Sequence, residues 1–427
     1  MLKKLVSFFK KDFVKNVLTL ITGSGISQVI IYGSTLILTR LFSEEAFGVL
    51  MLFSSSLILL KPIASLQYEL AILLPKRNKD AINLFAFSIL LSFLICTAIF
   101  LVLFFFKNNI STFFGLEQLS FYIYFLPIAV FLFSSISIIE YWHNRSNLFK
   151  NISKGVIAKS ISMSTIQITT GFSNLHAIGL IPGVIVGLVF QLLFLIKKSV
   201  IPIKETIKHI SFRRMFFLAK KYKDIPIFST VISFTNQLSN ELPVYLISNY
   251  FGLGNAGIYG LAVKISKAPI GIIQNSISQV FFNKASKQYN NNQDLNLTVK
   301  KTYKNLLLIG AFLFTSLFIL SFFFDFILGE NWTKAGTYVR ILIPWLFIAF
   351  LNAPLSSLIL ILNKQKTILV YDILLLTSRF LAFYIGYTQY KSIIISLALY
   401  SSVGILFNLF ILFYFLKIST LKKDTYS

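Results

Sequence analysis

AINLFAFSILLSFLICTAIFLVLFFF, Ala81–Phe106, runs for twenty-six residues without a charge. Coiled as a helix at about 1.5 Å per residue it reaches roughly 39 Å, more than the ~30 Å hydrocarbon thickness of a bilayer. Similar runs recur along all 427 residues, of which 56% are hydrophobic and 13% charged, with 46 Phe. Soluble folds do not bury so much Phe, Leu and Ile in repeated stretches of twenty. The fold class expected is all-α, a polytopic membrane protein of about twelve transmembrane helices. The spans fall near 17–42, 46–74, 80–106, 117–140, 153–173 and 176–196, then 225–250, 256–282, 302–328, 335–362, 365–388 and 392–416.

Charge sets the topology. The formal net charge is +25, yet the Lys and Arg cluster in short connections rather than on one face, which argues against a nucleic-acid partner. One alternating set of connections, both termini included, carries thirty of the forty basic residues. The opposite set holds Lys107, Lys334 and Lys391, and seven more lie inside spans. The basic side faces the cytoplasm, so both termini are expected there. The far-side connections are too short for an external catalytic domain. The organisation expected is 1–16 as an amphipathic cytoplasmic N-terminus, 17–196 as a first six-helix lobe and 197–224 as a basic cytoplasmic linker. A second lobe over 225–417 and a tail over 418–427 complete it.

The start does not read as a cleavable signal. Leu2, Leu5, Phe9 and Phe13 recur at helical spacing with Lys between them, a helix lying on the inner surface or a plain basic flank. A lone Cys96 excludes a disulfide within the chain, and His143, His176 and His209 lack metal-ligand spacing.

The halves look repeated. PIASLQ (Pro62–Gln67) returns as PIGIIQ (Pro269–Gln274), each in the second span of its half. EEAFGVL (Glu44–Leu50) matches LGNAGIY (Leu253–Tyr259), and LPIAVF (Leu126–Phe131) matches IPWLF (Ile343–Phe347). Six spans return the chain to the same side, so the repeats are parallel.

The seven span cations are Arg40, Lys61, Lys159, Lys264, Lys267, Arg340 and Arg379. A mid-bilayer cation costs about 2.5–3.5 kcal/mol on insertion scales, so it persists where it is paired, hydrated or used. Together they point to a wet cationic cavity with an anionic cargo. Lys264 and Lys267 share a helix face just before Pro269, and Lys61 precedes Pro62. This trio is the first choice for an anion contact; pairing with acids or snorkelling is its alternative. Snorkelling also accounts for Arg40 and Arg340, an ion pair with Asp372 for Arg379, and proximity to the surface for Lys159. Among the acids Glu241 is deepest, a candidate for coupling to H⁺ or Na⁺ or for a salt bridge to Lys264 or Lys267. Asp372 is a second coupling candidate, while Glu69 and Glu140 read as hydrated inner-interface groups and Asp325 lies near a span end.

The residues LTRLFSEEAFGVL (Leu38–Leu50), YFGLGNAGIYGLAVKISKAPIGIIQNSISQV (Tyr250–Val280) and GENWTKAGTYVRILIPWLF (Gly329–Phe347) resemble the Wzx-type flippases. These form the polysaccharide-exporter branch of the multidrug/oligosaccharidyl-lipid/polysaccharide (MOP) superfamily, and the resemblance covers essentially the whole chain. It implies two six-helix lobes in a MATE-like V around a central cavity. It also implies a polyprenyl-diphosphate-linked oligosaccharide as cargo, moved between leaflets of the bacterial inner membrane. Where the family's seventh span often carries an Asp, this chain has Glu241. The substrate sites expected are then Lys61, Lys264, Lys267, Arg40, Arg379 and Arg340, with Glu241 and Asp372 for coupling. No cofactor or metal is expected beyond an H⁺ or Na⁺ gradient, and other polysaccharide-assembly membrane proteins are candidate partners.

Remaining motifs are weak. Gly179, Gly183 and Gly187 make two G-x-x-x-G steps, a helix-packing signal. GVIAKS (Gly155–Ser160) lacks the glycine before Lys of a phosphate loop, so nucleotide drive is not expected. The sequons at Asn109 and Asn331 read as chance. A MATE-like ion-coupled exporter, a polytopic polymerase or glycosyltransferase, and a passive scaffold are the competing functions. An acidic cavity would favour the first. A large external loop would favour the second, and the span cations argue against the third.

Overall fold

The computed structural model describes residues 11–114, 122–173, 179–198, 209–291, 293–362 and 364–420. Residues 1–10 of the amphipathic N-terminus expected over 1–16, residues 115–121 with the expected start of the fourth span, residues 199–208 of the linker and residues 421–427 of the tail lie outside the described residues.

Each expected span contains a long helix. In the first half these are α1 (Lys11–Leu41), α2 (Glu44–Ser65), α3 (Asn78–Phe114), α4 (Leu126–Arg145), α5 (Phe149–Phe172) and α6 (Leu180–Lys198). A ten-residue helix, α7 (Phe212–Lys221), follows within the linker, and α8 (Val231–Phe251) begins the second half. Then come α9 (Leu253–Asn290), α10 (Asn296–Leu320), α11 (Thr333–Asn352), α12 (Gln365–Tyr390) and α13 (Ile393–Ile418). No strand occurs among the described residues. The chain divides into two compact units, Met1–Asn249 and Tyr250–Ser427, so α8 belongs mostly to the first.

Eight of these helices, some with their short extensions, are long and apolar enough to cross a membrane by length and composition. The other four long helices, α1, α5, α8 and α9, carry the polar residues. They include Ser27 and Ser34 on α1, Ser160 and Ser164 on α5, Asn236 and Asn240 on α8, and Lys264 and Lys267 on α9. Polar side chains in hydrocarbon persist where helices satisfy one another. In the first unit α1 and α5 do so. Ser27 bonds Ser160, and the Ser164 hydroxyl donates to Ser34 Oγ at 2.9 Å. Contacts advance along both helices together, so they run parallel, as the first and fifth spans of one bundle must.

Against α5, α6 packs antiparallel through the glycine stripe. A Cβ on Gly183 would meet Gln167 Cγ at 2.4 Å and Met163 O at 3.1 Å. A Cβ on Gly187 would sit 3.1 Å from Lys159 O. Only glycine lets these backbones approach so closely. Gln167 also ties α5 to the α6 start, its Nε2 donating to Leu180 O at 2.9 Å.

One expected span is interrupted. α2 contains Pro62 and ends at Ser65, where Leu66 and Gln67 take left-handed φ of 45° and 54°. Each such non-glycine residue costs roughly 1–2 kcal/mol. A tight helical turn, Tyr68–Leu73, completes the crossing. The repeat-related segment of the second half stays inside the unbroken α9. The loop after the turn is held by Arg145 at the end of α4. Its guanidinium donates to Ile72 O at 3.1 Å, Pro75 O at 2.7 Å and Asn78 Oδ1 at 3.1 Å.

Candidate functional site

Three helices of the first unit bring charge to one aromatic ring. Lys61 of α2 places its Nζ 5.1 Å from the Phe133 ring centroid on α4, and Lys159 of α5 places its Nζ 5.4 Å from the same ring. Glu140, two turns beyond Phe133 on α4, interacts electrostatically with both lysines, and the lysines feel each other. Gln191 of α6 donates to Glu140 Oε1 at 3.0 Å. Gly187, one turn before Gln191, leaves room for the Lys159 stem, whose Cγ lies 3.3 Å from where a glycine Cβ would stand. Both lysines are half-buried, as is Glu140. Two lysines thus lie within electrostatic reach of one carboxyl group, so the cluster holds more basic than acidic groups. The ring face offers each lysine a second, weaker attraction.

A second polar contact fixes the coupling candidate. Ser55, just under two turns before Lys61 on α2, donates to Glu241 Oε2 of α8 at 2.6 Å. The neighbouring Ser56 hydroxyl lies 2.8 Å from the Tyr245 hydroxyl, one turn along α8. Glu241 is half-buried, and this short charge-assisted bond is the contact that orients it.

In the second unit the ring is Trp345 of α11. Arg379 of α12 is buried, with its guanidinium carbon 4.4 Å from the Trp345 centroid and 4.6 Å from the Tyr400 centroid on α13. Lys267 of α9 approaches the same Trp345 ring at 5.7 Å. Gly404 makes the space, since a Cβ there would meet Trp345 Cδ1 at 2.6 Å and an Arg379 nitrogen at 2.9 Å. Asp372, two turns before Arg379, is buried and within its electrostatic reach. The sequence placed these two on one face; the structure adds that Arg379 also stacks on aromatic rings.

The two clusters draw on corresponding helices of the two halves, although the LPIAVF and IPWLF match sets Phe133 against Phe350 rather than Trp345. The second helix of each half supplies a lysine (Lys61, Lys267), the fourth supplies the ring (Phe133, Trp345), and the fifth supplies a second cation (Lys159, Arg379). The PIASLQ and PIGIIQ alignment sets Lys61 and Lys267 one position apart.

The other expected residues are placed apart from these clusters. Arg40, in the last turn of α1, is exposed. Arg340 is half-buried on α11, stacked 4.4 Å from Phe322 and donating to Ser321 O at 3.2 Å and Thr337 Oγ1 at 3.0 Å. Lys264 is half-buried on α9, and the Pro269 side chain lies outside the described residues. Glu69 is buried rather than at a wet interface, and its Oε2 meets no hydrogen-bond donor of the protein. Among the described residues no group of His, Cys, Asp and Glu is assembled to hold a metal ion. Sequence reasoning treated Lys159 as structural and Glu140 as interfacial. The signal it lacked was Phe133, an unremarkable apolar residue that collects both lysines.

A family model described as "Polysaccharide biosynthesis protein" matches residues 37–337. No curated protein matches the chain. Among solved structures, the lipid II flippase MurJ in an inward closed conformation has a TM-score of 0.70 at 18% identity, over 93% of this chain and 89% of that one. A Vibrio cholerae MATE transporter, VcmN, has a TM-score of 0.64 at 12% identity, over 95% and 96%. An inward-facing MATE multidrug resistance transporter of the MOP superfamily has 0.62 at 14%, over 96% and 99%. At these identities the likeness is one of fold: the chain is a multi-pass helical membrane protein with the fold of MATE transporters and MurJ.

Proposed function

Because the chain belongs to the polysaccharide biosynthesis protein family, we propose that it is a flippase for a polyprenyl-diphosphate-linked oligosaccharide. In this role it moves an O-antigen or capsule repeat unit from the cytoplasmic to the periplasmic leaflet of a bacterial inner membrane, in the manner of the Wzx-type exporters. The single observation that carries this is the pair of clusters on corresponding helices of the two halves, each a ring met by two cations inside a span. A diphosphate head stripped of water needs cations and donors to replace its hydration, while its polyprenyl tail is content in acyl chains. Lys61 with Lys159, and Lys267 with Arg379, supply that charge, and Lys264 adds to it. Arg40 and Arg340 are further contacts. Tyr, Asn and Ser on the polar helices suit sugar hydroxyls.

Transport then proceeds by alternating access, with an H⁺ or Na⁺ gradient as energy source and Glu241 and Asp372 as its sensors. Glu140 joins them as a carboxyl group within electrostatic reach of two lysines. No bond is made or broken in the cargo, so the protein is not an enzyme. Other polysaccharide-assembly membrane proteins are its expected neighbours.

Reconstitution tests the proposal. Proteoliposomes loaded with a fluorescent lipid-linked diphosphate oligosaccharide should show crossing that depends on the protein, and none in its absence rejects the flippase. The alternative is an ion-coupled exporter of another small molecule, favoured by the buried Asp372 and the half-buried Glu140 and Glu241. Gradient-driven dye efflux without lipid crossing would support that alternative.

A further inference from the structure

We propose that α7, the short helix inside the basic linker, is a docking surface for anionic phospholipid headgroups at the inner face of the membrane. Its ten residues, Phe212–Lys221, divide into three arcs at about 100° per residue. Met215, Leu218 and Ala219 form one arc and are buried. Phe212 and Phe216 form the next, and they are 64% and 56% exposed. Arg213, Phe217, Lys220 and Lys221 form the third, all exposed, with the half-buried Arg214 at its edge.

The buried arc is tied to the start of α3. Arg214 grips Asp80 with both arms of its guanidinium, Nε to Oδ1 at 2.8 Å and Nη2 to Oδ2 at 3.0 Å. The backbone N–H of Ser211 donates to Asn83 Oδ1 at 2.9 Å, and Asn83 Nδ2 donates to His209 O at 2.9 Å. Tyr68 donates to Ala219 O at 3.1 Å, and Leu218 enters the apolar cluster of Ala81, Leu84 and Trp142. Backbone and side-chain bonds of this number fix the rotation of α7 about its own axis.

With rotation fixed, the aromatic arc has one direction. The Phe216 ring lies 6.0 Å from Phe87, which sits more than two turns into an apolar span. Phe212 is stacked beside it, ring centroids 5.7 Å apart. The pair therefore continues the lipid-facing surface of α3 rather than turning toward water. The basic arc is next to it, and in the proposed docking it meets the lipid phosphates. An exposed aromatic edge beside an exposed cationic edge, on a helix outside the spans, is the pattern of an interfacial helix. The Lys and Arg of that edge are matched in charge by anionic lipid, each drawn to the inner leaflet within a Debye length.

Site-directed spin labelling of the full chain in vesicles tests this. Labels are placed by Phe212→Cys, Phe216→Cys, Arg213→Cys and Lys223→Cys, each on a Cys96→Ser background. The protein is reconstituted in phosphatidylcholine with or without phosphatidylglycerol. The labels at positions 212 and 216 should collide with dissolved oxygen and be shielded from a water-soluble nickel chelate, more strongly with phosphatidylglycerol present. The label at 213 should lie shallower, and that at 223 shallowest. Changing Arg213, Lys220 and Lys221 together to Gln should abolish the difference between the two vesicle types. Nickel collisions at 212 and 216 as frequent as at 223 would overturn the proposal. So would shielding from both reagents, which means a protein covers the face, or identical profiles in both vesicle types for the unaltered basic arc.

Discussion

Ser55 donates its hydroxyl hydrogen to the Glu241 carboxylate across 2.6 Å, joining α2 to α8 within the first unit. The helix that carries Lys61 is thereby linked to the helix that carries the half-buried carboxyl group of Glu241.

That link predicts a graded pair of effects. Ser55→Ala removes a donor to a charged group in a half-buried place, worth about 1.5–3 kcal/mol, and should lower the unfolding midpoint in detergent. Glu241→Gln retains an acceptor for Ser55 and should fold, but crossing should no longer respond to an imposed ion gradient. An unchanged gradient response removes Glu241 from coupling.

The lysine cluster predicts an asymmetry. Glu140→Gln leaves Lys61 and Lys159 near one another without the carboxylate whose field reaches both, and should cost about 1 kcal/mol, as loss of an incompletely buried charge interaction does. Lys159→Gln leaves Lys61 to balance Glu140 and should cost less. Chemical denaturation of the two variants and of the double variant gives the coupling between them. Equal stability of Glu140→Gln and the parent would contradict the shared-charge arrangement.

The glycine stripe predicts overpacking. Gly183→Ala would put a methyl 2.4 Å from Gln167 Cγ and 3.1 Å from Met163 O, so Gln167 must shift and give up its bond to Leu180 O, or α5 and α6 must move apart. The expected cost is about 1–3 kcal/mol, read as a lowered melting temperature in detergent. Gly25, around whose Cβ position nothing lies within 4 Å, should tolerate Ala without such a loss.

Arg379→Lys tests whether charge alone is enough in the second unit. The substitution keeps the cation but loses the planar group that stacks on Trp345 and Tyr400. About 1–2 kcal/mol should be lost, visible as a lower unfolding midpoint. A midpoint identical to that of the parent would mean the stacking is incidental.

The sequence placed every long helix because bilayer thickness imposes a length on each apolar run, and Ala81–Phe106 is the plainest case. The glycine stripe was legible for a similar reason: residues four apart share a helix face whatever else surrounds them. The break after α2 was not. Leu66 and Gln67 take left-handed backbone without being Gly or Asn, so only their surroundings dictate it. The first cluster was hidden by distance along the chain, since Lys61, Glu140 and Lys159 meet only through the packing of α2, α4 and α5. Depth along a span was a poor guide for Glu140, which is half-buried against Gln191 rather than solvated. In the second unit the Asp372 and Arg379 spacing was readable, whereas the stacking on Trp345 depends on the absent side chain at Gly404.

The central claim is that cations held in the spans carry the cargo's diphosphate. The most direct measurement is the initial rate of lipid-linked diphosphate oligosaccharide crossing in proteoliposomes for Lys61→Gln, Lys267→Gln and the double variant, at matched protein incorporation. Each single change should slow crossing at least about tenfold, equivalent to roughly 1.4 kcal/mol, and the double change should slow it further. Parent-like crossing by the double variant would contradict the claim.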